Sequence, residues 1–107
     1  MSPDSQRIAI AEACGIVSKD QWGPLYKTPR GILRDCPDYL ADLNAMHEAE
    51  DNLLGMNKAE FAVKLCRIVG RDWPNGIAGG SFAHVNATAA QRAEAFLRTV
   101  GKWEEAQ

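Results

Sequence analysis

The residues able to do chemistry in this chain are two histidines, three cysteines, a glycine-rich run and a basic aromatic stretch. His47-Glu48 supplies the first half of an HExxH zinc pattern, in which two histidines one helical turn apart hold the metal and the glutamate acts as base. Asp51 stands where the second histidine is needed, so the pattern is broken and His47 reads as a packing or capping residue. His84, close to Asn86 and Thr88, has the chemistry of a general base, but a single histidine brings no nucleophile with it. Cys14, Cys36 and Cys66 are odd in number and widely spaced, with no CxxC pair, and read as reduced, mostly buried thiols. The run from Gly76 to Ser81 offers backbone N–H groups to an anion. It is not a phosphate loop, because Ser81 occupies the place of the lysine. These residues lead us to expect no catalytic residue, no metal and no cofactor.

Binding chemistry is better represented. Lys19, Lys27, Arg30 and Arg34 interleave with Trp22 and Tyr26, the combination that stacks a base and pairs a phosphate. With Gly79, Gly80, Ser81, His84 and Arg92, the residues Trp22, Tyr26, Arg30 and Arg34 form the candidate set for a nucleotide-like ligand. Between residues 35 and 51 the sign reverses: Asp35, Asp38, Asp42, Glu48, Glu50 and Asp51 occur without a lysine or arginine. A surface polarised in this way offers Asp38, Asp42, Glu48 and Asp51 to a basic partner. Trp103, near the end of the chain, is a candidate partner or oligomer contact, since tryptophan is enriched in interface hot spots.

These residues must be positioned by a small scaffold. The 107 residues are 46% hydrophobic and 24% charged, which suits one domain spanning residues 1–107. The formal charge of −2 and a pI near 5.6 provide no positive field for DNA or anionic membranes, so nucleic acid and membranes are not expected partners. No long apolar run and no basic leader open the chain, which points to the cytosol. The clearest element starts at Thr88, where Thr88 and Gln91 match a capping box. Ala89, Ala93, Phe96, Leu97 and Val100 then form one apolar stripe, with Gln91, Glu94 and Arg98 off it and Gly101 as the stop. A third helix is expected from an Asn57 cap through Phe61, Leu65, Ile68 and Val69 to Gly70. A second is expected over residues 38–54, carrying Leu40, Leu43, Met46 and Leu53, and a first over residues 4–14. Residues 16–33, punctuated by Gly23, Pro24, Pro29 and Gly31, leave room for short extended pieces at 16–19 and 32–33. One further strand is expected around residues 82–85. The sum is an α+β fold, about four helices packed on a small two- to three-stranded sheet.

Three blocks carry a resemblance: RIAIAEACG at residues 7–15, PDYLADLNAMHEAE at 37–50 and ATAAQRAEAFLRTVGKW at 87–103. In this order they resemble the phage ABA-sandwich domain, a family of short proteins from tailed phages and prophages. The resemblance implies a layered α/β/α sandwich and a phage origin, and it brings no catalytic residues with it. The expected function is that of a non-enzymatic accessory protein in counter-defence or host takeover, acting by blocking a host protein. The alternatives are an oligomeric sponge for a nucleotide-type defence signal and a small hydrolase or nuclease using His47 or His84. The expected partners are a host protein or a nucleotide-like small molecule, and a homo-oligomer is expected. If the basic aromatic stretch binds phosphate, Arg30→Ala combined with Arg34→Ala abolishes ligand retention and leaves the melting temperature nearly unchanged. Equal retention by the double variant, measured by ligand recovery after denaturation, rules that site out.

Overall fold

The computed structural model describes residues 1–72 and 87–104. The glycine-rich segment with Gly79, Gly80 and Ser81, the strand expected at residues 82–85, and His84 lie outside the described residues. The described chain runs α1 (Pro3–Ala13), β1 (Val17–Asp20), β2 (Gly23–Thr28), β3 (Gly31–Leu33), α2 (Leu43–Glu50), α3 (Met56–Asp72) and α4 (Ala89–Thr99). Four helices packed on a three-stranded antiparallel sheet make the expected α+β fold.

The helix signals act where side chains reach free backbone groups. Ser2 caps α1 by accepting from the Ser5 N–H, with Pro3 in the first turn, where its missing N–H costs nothing. At α4 both halves of the capping box form: Thr88 Oγ1 accepts from the Gln91 N–H at 3.1 Å, and Gln91 Oε1 accepts from the Thr88 N–H at 2.9 Å. Two expected boundaries are corrected. The second helix spans eight residues instead of residues 38–54, because the Asp42 carboxylate takes the Asn44 and Ala45 N–H groups and starts the helix there. Residues 38–41 form a turn that buries Tyr39, while Leu43 remains exposed. The third helix takes its first backbone bonds from the Leu54 and Gly55 carbonyls, so Asn57 lies inside it and is not its cap. That helix also runs through Gly70 to Asp72; a glycine weakens a helix by about 1 kcal/mol and need not end it.

Between α1 and α2 the chain forms a complete meander, ordered β1-β2-β3, in place of two isolated extended pieces. One device makes both hairpins. Asp20 Oδ1 accepts from the N–H two residues on, at Trp22 (2.9 Å), and Thr28 Oγ1 accepts likewise from Arg30 (3.2 Å). Gly23 and Gly31 then take the positive φ angles of 116° and 130° that close each turn. Pro24 is tolerated in the central strand for a geometric reason. Lys27 donates to the Ile16 carbonyl, so by alternation Lys19 and Pro24 form a non-hydrogen-bonded pair. The Pro24 nitrogen therefore faces away from β1, on the side where β3 has already ended opposite Tyr26.

The core gathers on α4. This helix packs against α3, α1 and α2, and its residues Ala93, Ala95, Phe96 and Leu97 are fully buried. Ile10, Met46, Phe61 and Leu65 meet it from the other helices, and Tyr26 is the buried side chain that the sheet contributes. Phe96→Ala is expected to cost about 3 to 5 kcal/mol. Denaturant unfolding measures it, and a loss under about 1 kcal/mol contradicts the burial described.

Candidate functional site

The basic and acidic stretches, which by sequence polarise the surface, meet at Arg30. Arg30, on the β2–β3 turn, reaches α2 and lies 3.3 Å from Glu48 and 3.8 Å from Asp42. Arg7 on α1 approaches Asp38 at 3.7 Å. Asp42 is in addition occupied as the helix cap, and Asp51 ends α2 at the surface. Arg30 is thus the cation of the basic stretch that reaches the acidic one, because the meander places its second turn beside α2.

The candidate ligand residues divide into separate places. Trp22 is 75% exposed, with the Arg34 guanidinium 5.9 Å from its ring. Arg34 also donates to both oxygens of Asp20 at 2.9 and 2.7 Å, and these bonds hold the Asp20 carboxyl below its ordinary range. Tyr26 is buried in the core, where desolvation raises its hydroxyl above the usual value. Arg92 is buried too, donating to Glu50 Oε1 at 2.8 Å across the α4–α2 contact. Among the described candidates, Trp22 and Arg34 remain together at the surface. Trp103 is half-buried against the core, with Arg98 over its ring at 5.1 Å and its indole N–H buried without a hydrogen-bond partner among the described residues.

A crevice of about 340 Å³ lies between α1, the meander and α2, with Cys14, Tyr39 and Glu48 in its wall. Burial pushes the Cys14 thiol up to about 11 and moves the Tyr39 hydroxyl above its usual range. A shift in this direction leaves the thiol with less thiolate, the form that acts as a nucleophile. The three cysteines are free and each is half-buried. His47 is exposed on α2. Among the described residues no group of three or more His, Cys, Asp and Glu side chains is placed to hold a metal ion. No helix among them is long and apolar enough to cross a membrane.

The more developed surface lies on α3 and the flank of α4, in residues the sequence reading did not single out. Phe61, Leu65, Ile68 and Val69 turn one side of α3 into the core. At 3.6 residues per turn, Met56, Ala59 and Val63 fall on the opposite side, and all three are exposed. Met56 is 82% exposed, Val63 51% and the preceding Leu54 77%. Between these two faces, towards α4, runs a row containing Lys64, Arg67 and Arg71. Two adjoining depressions share Lys64 and Arg67: an apolar one of about 330 Å³ with Met56, Ala59 and Val63, and a cationic one of about 290 Å³ with Arg71 and Arg98. A third continues past Lys64 and Arg98 to Trp103. The spacing of Lys64, Arg67 and Arg71, three and then four residues apart, was the available signal.

Glu94 organises the cationic end. Its carboxylate accepts both Arg71 terminal nitrogens at 2.9 and 3.0 Å and Arg98 Nε at 2.8 Å. Burial alone pushes this carboxyl up, but the bonds from Arg71 and Arg98 outweigh it and leave Glu94 below its ordinary value. Asp72, bonded by Arg71 and Gln91, is lowered as well. The two arginines are therefore held in fixed positions by a carboxylate beneath them. Lys64 pairs with Glu60 at 3.4 Å, and Arg67 has no ion-pair partner among the described residues.

No protein-family model, curated protein or solved structure matches this chain.

The Glu94 network makes stability depend on pH with a definite sign. A carboxyl whose folded value is depressed stabilises the fold above its unfolded value, and that stabilisation disappears as pH falls through the folded value. Glu94→Gln is therefore expected to melt below the wild type at pH 7, with the gap closing as the pH falls below about 4.5. A gap that stays constant down to acid pH, followed by thermal melts across that range, removes Glu94 from this role.

Proposed function

We propose that the protein works by binding a polypeptide through the α3 surface, as a small phage- or prophage-encoded accessory protein that blocks a host protein in the host cytosol. The observation that carries this reading is the second apolar face of α3. Met56, Ala59 and Val63 lie along one side of the helix with exposed Leu54 just before it, and no described element covers them. Scattered exposed apolar side chains are ordinary, whereas a contiguous strip rimmed by charge marks an interaction surface. The phage origin rests on the resemblance of residues 7–15, 37–50 and 87–103, and the counter-defence role follows from that origin.

A second reading, an oligomer that sequesters a nucleotide-type signal, draws on Trp22, whose exposed ring lies beside Arg34. Stacking on an exposed tryptophan suits a base, while the Asp20 carboxylate already occupying Arg34 competes with a phosphate.

Native mass spectrometry of the tagged protein from producing cells separates the two. The expected spectrum contains a heteromeric complex that is lost when Val63→Asp and Arg67→Glu are combined, in a variant whose melting temperature stays close to that of the wild type. A homo-oligomer carrying a nucleotide-sized adduct replaces the blocker reading with the sponge, and a bare monomer overturns both.

A further inference from the structure

We infer that the occupant of the α3 groove is an acidic amphipathic helix, with its apolar side chains on Met56, Ala59 and Val63 and its carboxylates over Lys64 and Arg67. This rests on the binding reading above and specifies its partner.

The first argument concerns backbone. The middle of a helix has no free N–H or C=O groups, so α3 cannot extend a sheet and an incoming strand would leave its own main-chain groups unpaired against Met56 and Val63. A helix satisfies its backbone internally and presents side chains alone. The second argument is spacing. Met56, Ala59 and Val63 follow the three- and four-residue steps of a helix ridge, and small Ala59 between two larger side chains leaves a notch for a side chain of a second helix. From Met56 to Arg71 the groove runs about 22 Å, the length of roughly four helical turns.

Charge decides the rest. The cations stand on one side of the apolar strip only, and they differ in readiness. Arg71 and Arg98 are committed to Glu94, and Lys64 has a single partner, Glu60, whose side chain is 54% exposed. Arg67, which lines both depressions, has no ion-pair partner among the described residues. A carboxylate one turn from an apolar anchor meets Arg67 first and can displace Glu60 from Lys64 at little cost, because exposed pairs of this kind are weak. A nucleic acid would answer the cations but leave Leu54, Met56 and Val63 against phosphate, and a basic amphipathic helix would answer the apolar strip but set its cations against Lys64 and Arg67.

The test uses the full chain and a fluorescently labelled synthetic helix of about four turns, with leucines along one face and glutamates beside them, followed by anisotropy. Two control peptides are titrated in parallel: one of the same composition with the leucines spread around the helix, the other with lysines replacing the glutamates. The expected result is saturable binding of the acidic amphipathic peptide that weakens as salt rises. It should weaken about tenfold or more in Arg67→Glu and in Val63→Asp, and for both controls. No binding, equal binding of either control peptide, or indifference to both substitutions overturns the inference. So does sedimentation of the free protein as a dimer that Val63→Asp dissociates, since the occupant is then a second copy. If the peptide fails while a cellular polypeptide still depends on Val63 and Arg67, the helix is wrong and the binding reading stands. If no polypeptide depends on them, the binding reading itself falls.

Discussion

A helix buried on nearly every side must find counter-charges inside the protein for whatever charged residues it buries, and α4 buries two. Arg92 and Glu94 lie on opposite flanks of a segment whose Ala93, Ala95, Phe96 and Leu97 are inaccessible to water. Leaving either charge unpaired at such depth would cost several kcal/mol, so the helices on each side must supply partners. Glu50 on α2 meets Arg92, and Arg71 on α3 meets Glu94. Each ion pair also sets where its helix can sit along α4. Such pairs are worth more as registers than as sources of stability, because well-packed apolar residues could replace them at little cost, whereas losing one partner alone could not be tolerated. Burial raises the Glu50 carboxyl even with Arg92 beside it, which shows the desolvation that this arrangement carries.

The consequences reach the surface. Docking α3 through Phe61, Leu65, Ile68 and Val69 uses one side of the helix, and the Arg71–Glu94 pair orients it so that Lys64 and Arg67 flank α4. Its remaining apolar residues are then left facing solvent. Alanines on α4 permit the close approach of its neighbours, and the same compactness leaves the meander contributing Tyr26 to the core while Val17 and Leu33, its cross-strand neighbours, stay partly exposed. The groove and the core are thus two faces of one helix, held in place by the same carboxylate.

Electrostatics elsewhere follow proximity along the chain. The meander returns its second turn to the start of α2, so Arg30 falls beside Asp42 and Glu48 and part of the charge of each stretch is met by the other. Charge runs read along a chain are therefore poor guides to surface potential when the fold brings them together, and good ones when a helix displays them in a row, as α3 does with Lys64, Arg67 and Arg71.

What the sequence by itself determined was local: the Thr88 capping box, the Ser2-Pro3 start of α1, the stripe on α4 and the α+β class all follow from side chains that reach only a turn away or from the apolar period. The two hairpins were equally local, in an Asp or Thr followed three residues later by Gly, yet the prolines beside them mark loops as readily as turns. The tertiary structure alone decided which charges are buried. Nothing in the pattern of α4 distinguishes Glu94, which is buried, from Arg98, which is half-exposed, because that depends on α3 arriving from a distant part of the chain. The inward face of α3, with Phe61, Leu65, Ile68 and Val69, was legible as an apolar stripe, whereas only the packing of the described elements decided that Met56, Ala59 and Val63 stay uncovered.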